Sequence, residues 1–314
     1  MKIIVTGGTG FIGSHLIAKL VSHNHHIILL KRSTSKLDRI ATFLNRLKIY
    51  NIDNLRVLDD IFKDNSNIGL IIHLATKYIK NHSSHSEIKE MNNCNINFPT
   101  LLLNLASSHN VPYFINTGTC FEYKLKIGKV SENDDISPYN YYAASKLAFE
   151  DILRFFTKDR NIKAITLKLF YPYGPMDNQK VIPQIINSLI SGNSLKLTPG
   201  EQQLNYTYID DIISAYLKSL TYICSDRYHG YEIFNIGNNQ VFPIKNITTI
   251  LEKISCKKAN IIFGAIPYPP NEIMFMNCNN RKAKTILGWQ PITNIVEGLT
   301  KTYNYYRKYS IIHD

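Results

Sequence analysis

No stretch of this sequence stays apolar over the roughly 18 residues that a membrane helix needs, so the chain is not expected to enter a bilayer. Its start runs from a short apolar segment directly into glycine and shows neither the apolar core nor the cleavage site of a secretory leader. Cysteine is scarce. Cys94, Cys120, Cys224, Cys256 and Cys278 are odd in number, widely spaced and never arranged as CxxC. This argues against a disulfide framework and for free thiols in a reducing, cytoplasmic setting. Acidic residues are also in short supply: 24 Asp and Glu face 36 Lys and Arg, a net charge of +12. No basic helix or RNA-binding signature accompanies the excess, so nucleic acid is not an expected partner. A solvated basic surface remains, or attraction of an anionic substrate or cofactor. The 314 residues, 44% of them hydrophobic, suffice for one large domain or two small ones with a sizeable core.

The stretch Thr6–Gly13, TGGTGFIG, carries the first chemical signal. Before it, Ile3-Ile4-Val5 reads as a strand buried on both faces of a parallel sheet. After it, Phe11, Ile12, Leu16, Ile17 and Leu20 recur at helical spacing. A strand, a glycine turn and a helix in that order fit the dinucleotide fingerprint Gly8-x-Gly10-x-x-Gly13, with Gly7 adding a third-residue repeat. Glycines permit the tight turn and the close approach of a pyrophosphate, and the helix N-terminus supplies free N–H groups. Gly7, Gly10, Phe11, Ile12 and Gly13 are therefore candidate cofactor contacts; the plainer alternative is a structural turn. The next strand, His26–Leu30, ends in Lys31-Arg32-Ser33-Thr34-Ser35-Lys36, without an acid until Asp38. An acid there would bind the ribose 2′-hydroxyl of NAD. Its absence predicts NADP(H) over NAD(H), with Arg32 as main 2′-phosphate contact beside Lys31 and Ser33, or else a merely solvated loop.

Strand and helix signals continue to alternate. Leu55–Leu58 reads as a strand leading into Asp59-Asp60-Ile61, and Gly69–Ala75 as another. Residues 87–109 look helical, Tyr113–Asn116 extended, 140–157 helical and Ala164–Leu169 extended. The pattern predicts an α/β fold, a doubly wound parallel sheet of Rossmann type. After Tyr171-Pro172-Tyr173-Gly174-Pro175 the alternation loosens, which predicts a smaller, irregular C-terminal substrate domain. The expected division is 1–170, with 205–238 returning to it, for the cofactor, and 171–204 with 239–314 for the substrate.

Within Ser137–Leu147, SPYNYYAASKL, only Tyr142 has a lysine four residues on, so Tyr142 and Lys146 share a helix face. Asn116-Thr117-Gly118-Thr119 lies at a strand's carboxyl end, where open α/β sheets hold ligands. With TGGTGFIG, His73-Leu74-Ala75, Asn95-x-Asn97 before Thr100-Leu101-Leu102, Tyr208-Ile209-Asp210-Asp211 and Asn235-Ile236-Gly237, the chain resembles the extended short-chain dehydrogenase/reductase superfamily of nucleotide-sugar epimerases, dehydratases and reductases, from Lys2 to about Leu299. The resemblance implies that Tyr142 exchanges a proton with the substrate oxygen while a nicotinamide gives or takes hydride. It implies that Lys146 favours the phenolate and binds the nicotinamide ribose, and that Thr119 orients the reacting oxygen; Thr117 is the rival. Further expected cofactor contacts are Asp59, Asp60, Ile61, Leu74, Ala75, Thr76, Asn97 and Phe170. A homodimer is expected by resemblance alone.

Dehydratases of this superfamily carry an acidic pair after the catalytic threonine; here Cys120-Phe121 follows Thr119, against 4,6-dehydration. The basic loop after the second strand then favours a reductase over an epimerase. The segments 200–217 and 261–291, with Gly69–Tyr78 and Val181–Ile186, resemble the CDP-abequose and CDP-paratose synthase branch, which reduces the C4 ketone of a CDP-4-dehydro-3,6-dideoxyhexose with NADPH for O-antigen and lipopolysaccharide sugars. The expected partner is thus a nucleotide-linked keto sugar, and the expected substrate contacts are Lys77, Thr119, Cys120, Tyr171, Lys180, Val181, Lys196 and Asn205. Leu204 and Pro269 stand where relatives place pyrophosphate-binding arginines; Lys180, Lys196, Arg281 or Lys282 are the available substitutes. An NAD-bound 4-epimerase or 4-dehydrogenase and a non-catalytic dinucleotide-sensing module are the other readings. His82-Ser-Ser-His85 has chelate-like spacing without a third ligand, so no metal is expected, and Cys120 lacks a paired base. Trp289 is expected to pack.

Overall fold

The computed structural model describes residues 1–310 apart from Asn81, Ser83, Asn161, Asn178, Gln179 and His229. In chain order it contains β1 (Lys2–Thr6), α1 (Phe11–Ser22), β2 (His26–Lys31), β3 (Leu47–Asn51), α2 (Leu58–Asp64), β4 (Ile68–His73), α3 (His85–Asn92), α4 (Phe98–Ser108), β5 (Tyr113–Thr119), β6 (Lys129–Val130), α5 (Tyr141–Asp159) and β7 (Lys163–Leu169). Then follow β8 (Pro172–Tyr173), α6 (Val181–Ser191), β9 (Leu195–Leu197), β10 (Gln203–Leu204), β11 (Thr207–Tyr208), α7 (Ile209–Ile223), β12 (Tyr231–Ile236), β13 (Phe242–Pro243), α8 (Ile244–Ser255), β14 (Ile261–Phe263), β15 (Phe275–Cys278) and α9 (Ile295–Ser310).

Seven strands form one parallel sheet in the order β12-β7-β5-β4-β1-β2-β3. The continuous apolar runs are explained by its two covered faces. Ile3, Val5, Leu70, Ile72 and Ile115 enter one core with residues of α1 and α7. Ile4, Ile71 and Phe114 enter the other with residues of α2, α4 and α5. The doubly wound α/β sheet expected from the sequence is present.

The third strand segment differs from expectation. Leu55–Val57 forms a 3₁₀ turn and Leu58 begins α2, while the strand lies earlier, at Leu47–Asn51. That strand is the sheet's edge and only half-buried, so it lacks the apolar continuity of its neighbours. The helix expected over 87–109 is α3 and α4 joined by a π-helical turn, Asn93–Asn97.

The C-terminal elements are tied back to the sheet half. β6, from the β5–α5 connection, pairs with β15 in a sheet ordered β13-β10-β15-β6. Asp211 of α7 accepts the N–H groups of Ile292 and Thr293, and the fully buried Trp289 donates its indole N–H to Asp211 O and Ser214 Oγ, both at 2.9 Å. Trp289 thus packs and also seals the end of α7. Replacement Trp289→Ala should cost about 3–5 kcal/mol, read as a lower urea midpoint; an unchanged midpoint would contradict this role.

Candidate active site

The glycine turn lies against the end of β4. Gly7 has φ +69°, and a Cβ there would lie 2.5 Å from Ala75 N; a Cβ at Gly13 would overlap Gly7 O. Thr6 Oγ1 accepts the Ala75 N–H at 3.2 Å and shares a hydrogen bond with His73 Nδ1 at 2.8 Å, and Leu74 N donates to Thr6 O. No side chain caps α1 and its first turn holds no acid. Its first N–H groups, on Phe11, Ile12 and Gly13, are thereby suited to phosphate oxygens. The cradle fits a dinucleotide, with backbone so close on both sides that only glycine passes.

At the adjoining strand ends the structure redraws the expected contacts. Arg32 is exposed after β2 and Lys31 Nζ donates to Arg32 O. The Ser33 N–H and hydroxyl both donate to the Asp53 carboxylate, at 3.0–3.2 Å. An acid therefore does stand beside the β2 loop, delivered from the end of β3 instead of β2. Asp59, Asp60 and Ile61 lie away from this edge on α2: Asp59 is engaged by Lys63 and His109, and Ile61 is buried in the core. Asn51 and Ile52 lie at the carboxyl end of β3, where Ile52 N donates to Lys31 O.

Thr119, Tyr142 and Lys146 are brought toward one region by β5 and α5. Thr119 ends β5; its Oγ1 accepts from Phe121 N at 3.3 Å, and its side chain also bonds Cys120. The rival Thr117 is committed: its hydroxyl donates to His73 O and bonds the Tyr216 hydroxyl at 2.6 Å. Asn140 caps α5 by accepting from Ala143 N, which places Tyr142 in the first turn and Lys146 one turn further, 2% exposed. The Tyr78 ring meets Tyr142 edge-on at 4.8 Å. Burial pushes the Tyr142 phenol upward, the Glu122 charge adds to this, and a Thr76 hydrogen bond opposes it. Burial lowers Lys146, and the Glu122 charge holds it up.

Asn95, not Asn97, organises the floor. Asn95 Oδ1 accepts from Lys77 N and Thr76 Oγ1, and its amide donates to Lys77 O and Ser145 Oγ. Asn97 is exposed and bonds Asn93 within its own π-helical turn. That turn rotates Asn95 inward, and π turns recur at functional sites.

Of the expected substrate contacts, Tyr171 sits at φ 32° after the buried Phe170 and packs edge-on against Phe121 at 5.5 Å and near Tyr206. A left-handed backbone on a bulky residue is strained and marks functional edges. Cys120 is buried, and burial drives its thiol upward. Lys77 pairs with Glu90. Lys180 donates to Pro172 O, pairs with Asp177, and lies over the Phe11 ring, while Val181 opens α6. Lys196 is exposed on the β9–β14 ribbon, and Lys282 pairs with Glu232. Asn205 has another task. Fully buried, it donates to Asn238 O, Gln240 O and Asn277 Oδ1 and accepts from Asn238 N, so its amide is spent on chain crossings. Lys80 and Glu272, unremarked in the sequence as a pair, join at 3.1 Å across the cleft between the β4 loop and the C-terminal segment.

The seven-stranded parallel sheet, together with the family and relatives that the chain matches, defines an NAD(P)-dependent enzyme of the extended short-chain dehydrogenase/reductase type. The model of the NAD dependent epimerase/dehydratase family matches residues 3–237. The chain belongs to that family. It is 30% identical to a CDP-abequose synthase of Salmonella muenchen over 96% of each chain. It is 28% identical to a dTDP-4-dehydro-6-deoxyglucose reductase of Escherichia coli over 95% of each. The structure of a Bacillus cereus UDP-glucuronic acid 4-epimerase, in complex with UDP-glucuronic acid and NAD, superposes with TM-score 0.89 at 28% identity, over 98% of this chain and 100% of that one. Among the described residues no helix is long and apolar enough to cross a membrane.

The crowding at Gly13 yields a direct check. Gly13→Ala should weaken dinucleotide binding at least tenfold, because the turn must open to admit the methyl group. Titration of cofactor fluorescence measures it; unchanged affinity would remove the turn from the cofactor site.

Proposed function

We propose that this protein is a 4-ketoreductase of a nucleotide-activated 4-dehydro-deoxyhexose, CDP-linked, using NADPH. One observation carries the reading: an end-to-end likeness to a CDP-abequose synthase in a chain that has Thr119, Tyr142 and Lys146 and whose Thr119 is followed by Cys120 and Phe121 instead of two acids. Similarity to a dTDP-4-dehydro-6-deoxyglucose reductase points the same way. The cofactor held by the glycine cradle supplies hydride. Thr119 donates a hydrogen bond to the C4 oxygen. Tyr142 gives that oxygen its proton, and Lys146, one turn below, supports the charge left on the phenol. Positioned proton transfer of this kind contributes roughly 10²–10⁴-fold.

Arg32, Lys31 and Lys36 support a 2′-phosphate and hence NADPH. The Asp53 carboxylate on Ser33 favours the second reading, a 4-epimerase with bound NAD, as does the fold-level likeness to the Bacillus cereus epimerase.

Loss of NADPH absorbance on adding CDP-4-dehydro-3,6-dideoxyglucose is the expected result. The dTDP- and GDP-4-dehydro-6-deoxy sugars identify the nucleotide by comparison, and silence with all of them overturns the reductase. NADPH should bind more tightly than NADH; equal or reversed affinities defeat the NADP preference. Tyr142→Phe should lower turnover by ~10²-fold or more while cofactor still binds. Near-normal turnover would assign the acid role elsewhere.

A further inference from the structure

Beneath the site lies a cluster of charges that the reaction as described does not use. Lys168, on the sheet strand β7, faces Glu122 Oε2 at 2.9 Å and Glu150 Oε2 at 3.4 Å, and all three side chains are 0–1% exposed. Both Oε2 atoms are held by the one ammonium. Arg154, more exposed, pairs with Glu150 Oε1 at 3.3 Å and with Asp151 Oδ1 at 3.6 Å. The fully buried part is therefore two carboxylates on one lysine. A scaffold contact does not call for this: a one-to-one pair, or apolar side chains of the same volume, would be cheaper to bury.

The two buried carboxylates have a nearby use. Glu122 Oε1 accepts the Thr119 N–H at 2.9 Å, so the cluster holds the end of β5. Glu150 lies on α5 one turn beyond Lys146 and two beyond Tyr142, so it also holds the helix that carries them. We infer that Glu122, Lys168 and Glu150 form a positioning network that fixes Thr119 against α5 and supplies the negative field under which Tyr142 stays protonated and Lys146 stays charged. This rests on Tyr142 being the proton donor.

The surroundings leave few other sources of that field. His73 and Cys94 face Lys146; burial keeps the first uncharged and pushes the thiol of the second upward. Tyr78 and Cys120 face Tyr142, and burial raises both. Tyr123 lies under Lys168, with Glu132 beyond it, and Tyr231 on β12 adjoins Glu150. These phenols are likewise raised, and burial pushes Glu132 upward too. Burial and the facing Glu122 charge push the Glu150 carboxyl upward, while Lys168 and Arg154 oppose this.

The test uses Glu122→Gln and Glu150→Gln, each near in shape and each able to keep its acceptor oxygen. Tyr142 ionisation is read, in the free and the NAD⁺-bound protein, as the ultraviolet phenolate absorbance that disappears when Tyr142→Phe is added to the same background. Loss of a carboxylate should move this ionisation, and the alkaline limb of kcat/KM for the ketone, downward by about one pH unit. Lys168→Met, which strips the cation from two carboxylates, should move both upward, and Glu122→Asp should restore part of the wild-type profile. Titrations that stay in place in the folded Gln variants overturn the inference and make the cluster a scaffold. Should Glu122→Gln not fold, Glu150→Gln decides alone. Normal turnover in Tyr142→Phe would defeat the acid assignment itself, a result separable from the absorbance shift because the shift needs no substrate.

Discussion

Everything in this molecule is arranged around one constraint: a parallel sheet covered by helices on both faces has only its strand ends free for chemistry. The order of strands then singles out one place along that edge. β1 pairs with β2 on one side and β4 on the other, so successive connections leave β1 in opposite directions. The crevice where they part is where such sheets hold ligands. The glycine turn after β1 meets Ala75 after β4 in this crevice, at a distance that excludes a methyl group. The contact is steric before it is anything else, and it explains why the sequence is least tolerant where it looks simplest.

From that crevice outward the chemistry becomes a problem of charge in a dry environment. Lys146, Lys168, Glu122 and Glu150 are all withdrawn from water, and a buried charge is costly unless opposed. The chain opposes them with one another. Lys168 sits between the two carboxylates, and Lys146 takes what field is left over. The same carboxylate that neutralises Lys168 accepts the Thr119 N–H, so charge balance and geometry are set by one side chain. Tyr142 stands in the first turn of its helix, where the chain can still be aimed by the Asn140 cap, while Lys146 is one turn deeper.

Much of this is legible in the sequence, for physical reasons that also mark where legibility stops. Ile3-Ile4-Val5 and Gly69–Ala75 announce doubly covered strands because nothing polar interrupts them, and the i, i+4 spacing of Tyr142 and Lys146 is independent of the rest of the fold. β3 is missed because an edge strand with one half-wet face imitates a loop, and the misplacement carried Asp59, Asp60 and Ile61 with it. Asn95 and Asn97 exchange roles because a π-helical turn shifts which residue points inward, a rotation that spacing alone does not reveal. Asp53 and the Glu122–Lys168–Glu150 cluster escape because they are tertiary: each brings together residues from different strands or helices, and Lys168 reads locally as an ordinary position in an apolar strand.

The substrate side follows the same logic with less help from local pattern. Leu204 is buried in β10 and Pro269 lies in the loop beyond β14, so neither position offers a cation to a pyrophosphate. Around Tyr142 and Tyr171 the neighbours are instead rings, Tyr78 edge-on to Tyr142 and Phe121 edge-on to Tyr171, with the Lys80–Glu272 pair close to both. Aromatic walls bind through area and edge contacts, and they suit a sugar that has lost hydroxyl groups better than one that retains them all. A deoxygenated hexose buries more apolar surface against such a wall and leaves fewer oxygens to be satisfied there. On the proposed reading, the lack of arginine at positions 204 and 269 and the presence of the tyrosines would act in one direction. On the proposed reductase reading they would shift recognition from the charged end of the substrate toward its reduced ring, beside Tyr142 and Thr119.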